Sequence, residues 1–495
     1  MRLDIAGREL FLDLSGQPGR TLRGQLLAAL KQAIREGRLA ADAVLPSSRT
    51  LAADLGLSRG VVVNVYAQLS AEGFLLTRPG ARSVVTAAGR RDVSHDIAEA
   101  AEPDGRADSS GIIDLRPGPP DLGAFPRTAW LAATRDVLRS LENGQLGYVT
   151  PWGSWEVRAA VADYLSRVRG AMATPQSIVA VSGVTQGLSL MARVLRGLGF
   201  HELAVESPGH ALQRRMLASH GVRIVDVPVD HEGIDVGALR RTGARAVLVT
   251  PAHQYPTGVM MSPARRRALI RWAEEKSGYV VEDDFDAEFR YERLSVSCLQ
   301  GLAPERVVLL GSVSKSLAPG LRLGWAVAPQ LIRSALMSAK RDDDFGGPVL
   351  EQHVVAHLIM AGTYEAHVRR LRRHYHVRRE ALTSALAAEL PDWTVNVQKA
   401  GLHLMLRPPA GTPEEGLVAS AADHGVLVAG MRDMYGSLPP QPGVLVSFAR
   451  APGGLLTEAV SRLALAALAT DGRRSRRVRA RSGRVPPPAV AADYL

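Results

Sequence analysis

Residues 312–325 read Ser-Val-Ser-Lys-Ser-Leu-Ala-Pro-Gly-Leu-Arg-Leu-Gly-Trp. Of 60 lysines and arginines in the chain, five are lysines: Lys31, Lys276, Lys315, Lys340 and Lys399. In so arginine-rich a chain each retained lysine raises a question of chemistry. A lysine amine can form a Schiff base with a carbonyl compound, whereas a guanidinium cannot. Lys315 lies between two serines, ahead of a small-residue turn, with Arg322 seven residues on. The plain alternative is an exposed loop lysine.

The segments around this stretch argue against that alternative. An apolar run from Gly278 to Val281 reads as a buried strand and leads into Glu282-Asp283-Asp284-Phe285-Asp286. A strand that ends in acids places carboxylates at the edge of a parallel sheet, where α/β proteins bind ligands. Ile178 to Val181 reads as another strand, followed by Ser182-Gly183-Val184-Thr185-Gln186-Gly187 and a helical pattern from Leu188. A small-residue turn that opens a helix offers free N–H groups and a positive dipole end, which suit a phosphate. Leu248-Val249-Thr250 is a further short strand. From 113 to 330 strands alternate with helical segments, so the spacing predicts a mostly parallel sheet covered on both faces. From about 331 the chain turns helical, with amphipathic stretches between Leu350 and Leu390. It closes with short strands at Leu402–Leu406 and Val444–Phe448 and a helix at Leu456–Leu468.

A second module precedes this one. Leu22 to Leu39 has helical apolar spacing with Thr21 as N-cap. Pro46-Ser47-Ser48-Arg49 opens a second helix that stops at Gly56, and Leu57-Ser58-Arg59 opens a third that runs to Gly73. Helix, glycine-containing turn and helix make a helix-turn-helix, whose second helix enters the DNA major groove. Phe74 to Val85 reads as a hairpin wing with Arg78 and Arg82 at its tip. In the run Val61-Val62-Val63, part must be core and part can meet a thymine methyl.

The charge is distributed accordingly. The net charge is +11; residues 1–90 carry 12 basic and 7 acidic residues, and residues 473–495 carry seven arginines and one aspartate. These ends hold +5 and +6, which leaves about zero for the middle. Positive ends suit neutralisation of phosphates. The arginine- and proline-rich tail, 471–495, reads as disordered, and residues 86–112 as a flexible linker. One cysteine, Cys298, excludes a disulfide framework and a cysteine-rich zinc site. No histidine pair shows metal spacing, so no metal is expected. His367, His374 and His376 lie on a basic helical stretch and are expected to face solvent or the seam between lobes. No apolar stretch is long enough to span a membrane, and no signal-peptide pattern opens the chain.

The Ser-Val-Ser-Lys stretch resembles the pyridoxal-phosphate (PLP) lysine motif of fold-type I aminotransferases. The resemblance implies that Lys315 holds PLP as a Schiff base and that Asp283 pairs with the pyridine nitrogen, keeping the ring an electron sink. It implies a phosphate cup of Gly183, Val184, Thr185, Ser312, Ser314 and Arg322. His210, closing Glu206-Ser207-Pro208-Gly209-His210, stands where the family stacks an aromatic ring on the cofactor. His253-Gln254-Tyr255-Pro256-Thr257-Gly258 resembles the family's Asn-Pro-Thr-Gly loop, with Tyr255 in place of the asparagine. Phe285 stands where the related regulators carry a tyrosine, and it has no hydroxyl for the cofactor's phenolic oxygen. These two departures imply weakened turnover more than weakened cofactor binding. Tyr148, in Leu146-Gly147-Tyr148, implies a dimer, since in the family this tyrosine reaches the neighbouring subunit's phosphate. Gly401-Leu402-His403 resembles the small domain's Gly-Leu-His strand. The family's substrate-carboxylate arginine is missing before Leu445; Arg450 and Arg432 are the nearby candidates for an effector.

Residues 20–85 are similar to the winged helix of the GntR family. The likeness implies that Arg49 contacts phosphate, that Ser58, Arg59 and Asn64 read bases, and that Arg78 and Arg82 act from the wing. Taken together, the chain resembles the MocR-type (GabR-like) regulators. The expected organisation is a winged helix-turn-helix at 1–85, a linker at 86–112, and an α/β aminotransferase-like domain at 113–470. Within the last, a large part at about 140–330 precedes an α+β small part at about 331–470. The expected partners are a double-stranded operator, a second copy of the chain, and an amino compound or PLP as effector. The expected setting is the bacterial cytoplasm, at the nucleoid. A working aminotransferase with a DNA-binding appendage is the alternative that the residues leave open.

Overall fold

The computed structural model describes residues 2–5, 8–11, 21–77, 82–87, 111–148, 150–291, 296–396 and 400–470, the first two stretches by backbone alone. The chain divides into two compact units, residues 1–107 and 108–495. Most of the expected linker, and the whole basic tail from 471, lie outside the described residues.

In the first unit, strands Arg2–Ile5 and Arg8–Phe11 pair antiparallel, an element not anticipated from sequence. The helices are Leu22–Arg35, Ser48–Asp54 and Arg59–Ala71. Thr21 caps the first by accepting from the Gly24 amide, and Ser47 caps the second through Thr50. The first helix ends four residues before Leu39, with the Glu36 amide folding back onto the Gln32 and Ile34 carbonyls. Leu26, Leu30, Ile34, Leu51, Val62, Val65 and Leu69 form one core with Leu75 and Val85 of the wing. The wing itself is two short antiparallel strands, Leu75–Leu76 and Val84–Val85.

The second unit is built on an eight-stranded sheet. Its order is Ile178–Val181, Gly324–Val327, Val307–Ser312, Tyr279–Asp283, Ala246–Val249, Glu202–Ser207, Arg223–Asp230, Gly233–Ile234. Pairing is parallel through the middle, from Val307–Ser312 to Arg223–Asp230, and antiparallel at both sides. The central strands are buried along their whole length, which is why they read as unbroken apolar runs. A four-stranded sheet, with His403–Arg407 and Val444–Ser447 at its centre, forms the second lobe.

The boundary between the lobes differs from the sequence expectation of about 331. Helix Gln330–Asp344 packs Ile332 and Leu336 onto the large sheet. Helix Val349–Met360 packs Val354, Val355 and Leu358 beside Val157, Leu165 and Val327. The boundary falls inside the long helix Thr363–Glu389: Tyr364 and Val368 belong to the large core, whereas Leu371, Tyr375 and Leu382 belong to the small one. The small core also takes Ile113 and Leu115, since strand Ile113–Asp114 pairs with Val426–Leu427. Amphipathic spacing shows that a helix has a buried face but not which lobe buries it.

Candidate cofactor site and DNA-contact face

Topology brings six strand ends to one sheet edge. The parallel strands end at Ser207, Asp230, Val249, Asp283 and Ser312. Ile178–Val181 runs the same way, because it and Val307–Ser312 are both antiparallel to the strand between them, with Val181 and Ser312 both opposite Gly324. Gly183 therefore opens its helix beside Ser312.

That end of the site is positive. Gly183 precedes helix Val184–Gly197 with φ +83°, a backbone state that favours glycine. The Arg322 guanidinium donates to the Ser182 carbonyl at 2.6 Å, and a Cβ on Gly183 would lie 3.2 Å from it. A guanidinium beside the free N–H groups and positive dipole of a helix start is a setting for an anion. Val184 and Thr185 form the first turn, and Ser312 Oγ accepts from the Ser314 amide at 3.3 Å.

The other end is acidic and buried. Asp283 Oδ2 accepts from Gln213 Nε2 at 3.2 Å, while Oδ1 is buried without a hydrogen-bond partner among the described residues. Burial pushes this carboxyl up to about 7, against the Gln213 bond. The Lys315 amine donates to the Gly118 carbonyl at 2.7 Å. Burial lowers its pKa, and the charges of Asp286 and Asp283 pull the other way. The His210 ring stacks on Tyr255, with centroids 5.2 Å apart, and burial takes its pKa down to about 4. Phe285 meets the Tyr255 ring edge-on at 6.1 Å. Burial raises the Tyr255 phenol to about 12.

The His-Gln-Tyr-Pro-Thr-Gly loop is wired internally. Gln254 Oε1 accepts from the amide and hydroxyl of Thr257, and its Nε2 donates to the Pro208 and Tyr255 carbonyls. Buried Glu206 accepts from the amide and hydroxyl of Thr250. His253 Nδ1 pairs with Asp286 at 2.9 Å, and His403 Nε2 donates to the Pro256 carbonyl at 3.1 Å. The Gly-Leu-His strand interlocks with this loop: a Cβ on Gly401, at φ +75°, would lie 1.9 Å from the His253 ring. His253, Asp286 and His403 thus cluster within 4.8 Å of one another. The Asp286 carboxylate occupies one nitrogen of His253 and the Pro256 carbonyl one nitrogen of His403, and the two rings meet with centroids 4.9 Å apart.

These features fit PLP. A protonated ring nitrogen would answer the bare Asp283 oxygen, an aldehyde the Lys315 amine, and a phosphate the Gly183–Arg322 end. Sequence reading missed Gln213 and Gly118, and gave His253, Asp286 and His403 only as members of motifs, without their partners. The repeated His in two motifs was a signal, but its partner was not visible. Of the two settings expected for His367, solvent is excluded: it is buried on the helix that passes from one lobe to the other, its ring bonded to the Ser316 carbonyl. His374 and His376 are exposed. Tyr148 is fully exposed. Arg450 pairs with Asp114 at 2.8 Å and lies beside Gly118, whose carbonyl receives Lys315. Arg432 is taken by Glu415 at the surface.

On the first unit, Arg49, Ser58, Arg59, Asn64 and Arg82 are all exposed; Arg78 lies outside the described residues. Ser58 starts the third helix, yet its hydroxyl makes no capping bond and is free for another acceptor. Val62 is buried and Val63 is 44% exposed, which divides the valine run between core and surface. A concavity of about 700 Å³ beside Val63 and Tyr66 reaches Ser48, Thr77 and Arg82.

Residues 111–463 match the family described as aminotransferase class I and II, and residues 22–85 match the bacterial regulatory proteins of the gntR family. The chain is 32% identical over 431 residues to the HTH-type pyridoxine biosynthesis transcriptional regulator PdxR of Corynebacterium glutamicum, covering 86% of this chain and 91% of that protein. It is 31% identical over 464 residues to the probable rhizopine catabolism regulatory protein MocR of Rhizobium meliloti, covering 90% and 94%. Among solved structures, the kynurenine aminotransferase of Pyrococcus horikoshii, in complex with PMP, superposes with a TM-score of 0.68 at 26% identity, covering 73% of this chain and 91% of that one.

Proposed function

The chain belongs to the MocR-type regulators, a GntR-family winged helix joined to a class I and II aminotransferase unit, and from that premise we propose that it binds PLP on Lys315 and passes the state of that site to an operator. Its setting in this reading is the bacterial cytoplasm, on the nucleoid. The observation that carries the reading is the placing of Asp283, buried with Oδ1 lacking a partner among the described residues, at the same sheet edge as the half-buried Lys315 amine and a cationic helix start.

When bound, PLP supplies an aldehyde for amines and an electron-withdrawing ring. The protein's own groups do the rest. Lowering of the Lys315 pKa increases its neutral, nucleophilic fraction. Asp283 would keep the ring nitrogen protonated, with Gln213 fixing its other oxygen. Gly183, Val184, Thr185, Ser312, Ser314 and Arg322 would hold the phosphate. The stacked His210–Tyr255 pair would flank the ring, and Phe285 would add an apolar edge. An amino compound, or PLP itself, acts on DNA only through different affinities for two arrangements of the dimer. Fully exposed Tyr148 supports a site shared with the partner. Arg450, beside Gly118, is the candidate anchor for an acidic effector. Arg49, Ser58, Arg59, Asn64 and Arg82 face the operator.

An active aminotransferase is the second reading, favoured by the intact Lys315, Asp283 and phosphate end. Phe285 and Tyr255 in place of hydrogen-bonding partners weigh against efficient turnover. The visible spectrum of the purified protein, followed by borohydride reduction and peptide mapping, tests the first reading. It expects a yellow protein labelled at Lys315; a protein that stays colourless with added PLP removes both readings. Release of an amino-transfer product with a tested donor would favour the second.

A further inference from the structure

The residue after Lys315, Ser316, joins a network that the cofactor reading does not use. His367, on the long helix Thr363–Glu389, is 3% exposed. Its Nδ1 lies 2.9 Å from Arg370 Nη2, and its Nε2 lies 2.8 Å from the Ser316 carbonyl. A guanidinium can only donate and a carbonyl can only accept. Nδ1 therefore accepts and Nε2 carries the proton, so Arg370 and Ser316 together fix one neutral tautomer. Burial, with the Arg370 charge behind it, lowers the His367 pKa, while the Ser316 bond raises it. Beside this bond, the Ser316 and Tyr364 hydroxyls are 2.7 Å apart, Tyr364 lying three residues before His367 on the same helix. The Leu317 amide donates to the Val313 carbonyl at 2.7 Å, closing the turn that holds Lys315.

We infer that His367 is a positioning residue for Lys315. It touches neither the amine nor the cofactor position. It holds the backbone one residue beyond Lys315, while the Gly118 carbonyl holds the amine at the other end of the side chain. Arg370 is exposed and acts as the lock on the histidine tautomer. The inference rests on the reading that Lys315 binds PLP.

The test uses the full-length protein and PLP. His367→Leu removes the donor at similar size, His367→Gln keeps an N–H of comparable reach, and Arg370→Met unlocks the tautomer from an exposed position that does not threaten folding. The readouts are the PLP dissociation constant and the pH midpoint of the visible band. Loss of one buried hydrogen bond is expected to weaken PLP binding roughly five- to tenfold in the leucine variant and to shift its midpoint. Glutamine is expected to restore both, and Arg370→Met to shift both less in the same direction. Should leucine not fold, the Arg370 and glutamine variants still decide. Wild-type affinity and midpoint in both His367→Leu and Arg370→Met, or a glutamine variant as impaired as leucine, overturns the inference. A wild-type protein with no visible band in PLP overturns the cofactor reading and the inference with it, which distinguishes the two failures.

Discussion

The winged helix and the aminotransferase unit hold their functional groups in opposite ways. Arg49, Ser58, Arg59, Asn64 and Arg82 stand in solvent and touch their neighbours little. Asp283, His253 and His403 are buried, and Lys315 is half-buried with its amine on the Gly118 carbonyl. An exposed cation costs little to maintain and waits for a polyanion. A buried carboxyl with a bare oxygen costs stability until a partner arrives. The first region is thus built for an outside ligand that screens easily with salt. The second stores free energy that an occupant of the site can release, which is what a sensor needs.

The sharpest way to break this contrast is at its centre. Lys315→Ala is expected to abolish the yellow form and borohydride labelling while leaving operator binding by the cofactor-free protein intact; a gel-shift and a spectrum on the same sample check it. Gly401→Ala comes next. The added methyl would run into His253 at a positive φ, which should cost on the order of 3 kcal/mol or prevent folding of that unit. Denaturant unfolding measures it, and wild-type stability would mean that the two motifs do not interlock.

Asp283→Asn separates stability from function. Its folded pKa, about 7, lies above the ordinary carboxylate value near 3.9 of the unfolded chain. Such a group contributes stability that is fully present below about pH 4 and is lost as pH rises through 7. Asp283 should therefore contribute a fall in stability from pH 5 to pH 8, alongside Glu206, Glu282 and Glu288, and asparagine should remove that share of the slope. At pH 8 the variant should gain on the order of 2 kcal/mol, less than the full linkage value because the amide is also desolvated. Its PLP affinity should fall. A variant that binds PLP as tightly as wild type would remove Asp283 from the site.

On the exposed side, effects should be smaller and salt-dependent. Arg59→Ala is expected to cost about 1–3 kcal/mol in operator affinity and leave the PLP spectrum unchanged, and Arg49→Ala should lower the salt slope by about one. Titrations at several salt concentrations check both. Smallest of all is Arg432→Ala. Its pair with Glu415 is exposed on both sides, so it should change neither stability nor PLP affinity by more than about 0.5 kcal/mol.

The same contrast explains what the sequence made legible. The winged helix follows from local signals: caps at Thr21 and Ser47, apolar spacing, and exposed arginines at motif positions. The strand ends of the large unit were legible too, because parallel strands buried on both faces leave unbroken apolar runs. The partners in the site were not. Gly118 lies 197 residues before Lys315, Gln213 70 residues before Asp283, and His367 51 residues after Ser316. Periodicity reports a buried face, but only topology says what buries it. For that reason the sequence leaves open whether His367 meets solvent or the seam, and it puts the lobe boundary some 35 residues too early, before helices whose apolar faces cover the large sheet.

The most direct test joins the two regions in one titration. Operator DNA selected by the full-length protein from a random pool is titrated with wild type and with Lys315→Ala, each with and without PLP and a panel of amines. PLP, or one of the amines added with it, should change the operator affinity of wild type and leave Lys315→Ala unmoved. Equal responses in the two proteins, or no response in wild type to any compound while its PLP site is occupied, would contradict the link between Lys315 and DNA.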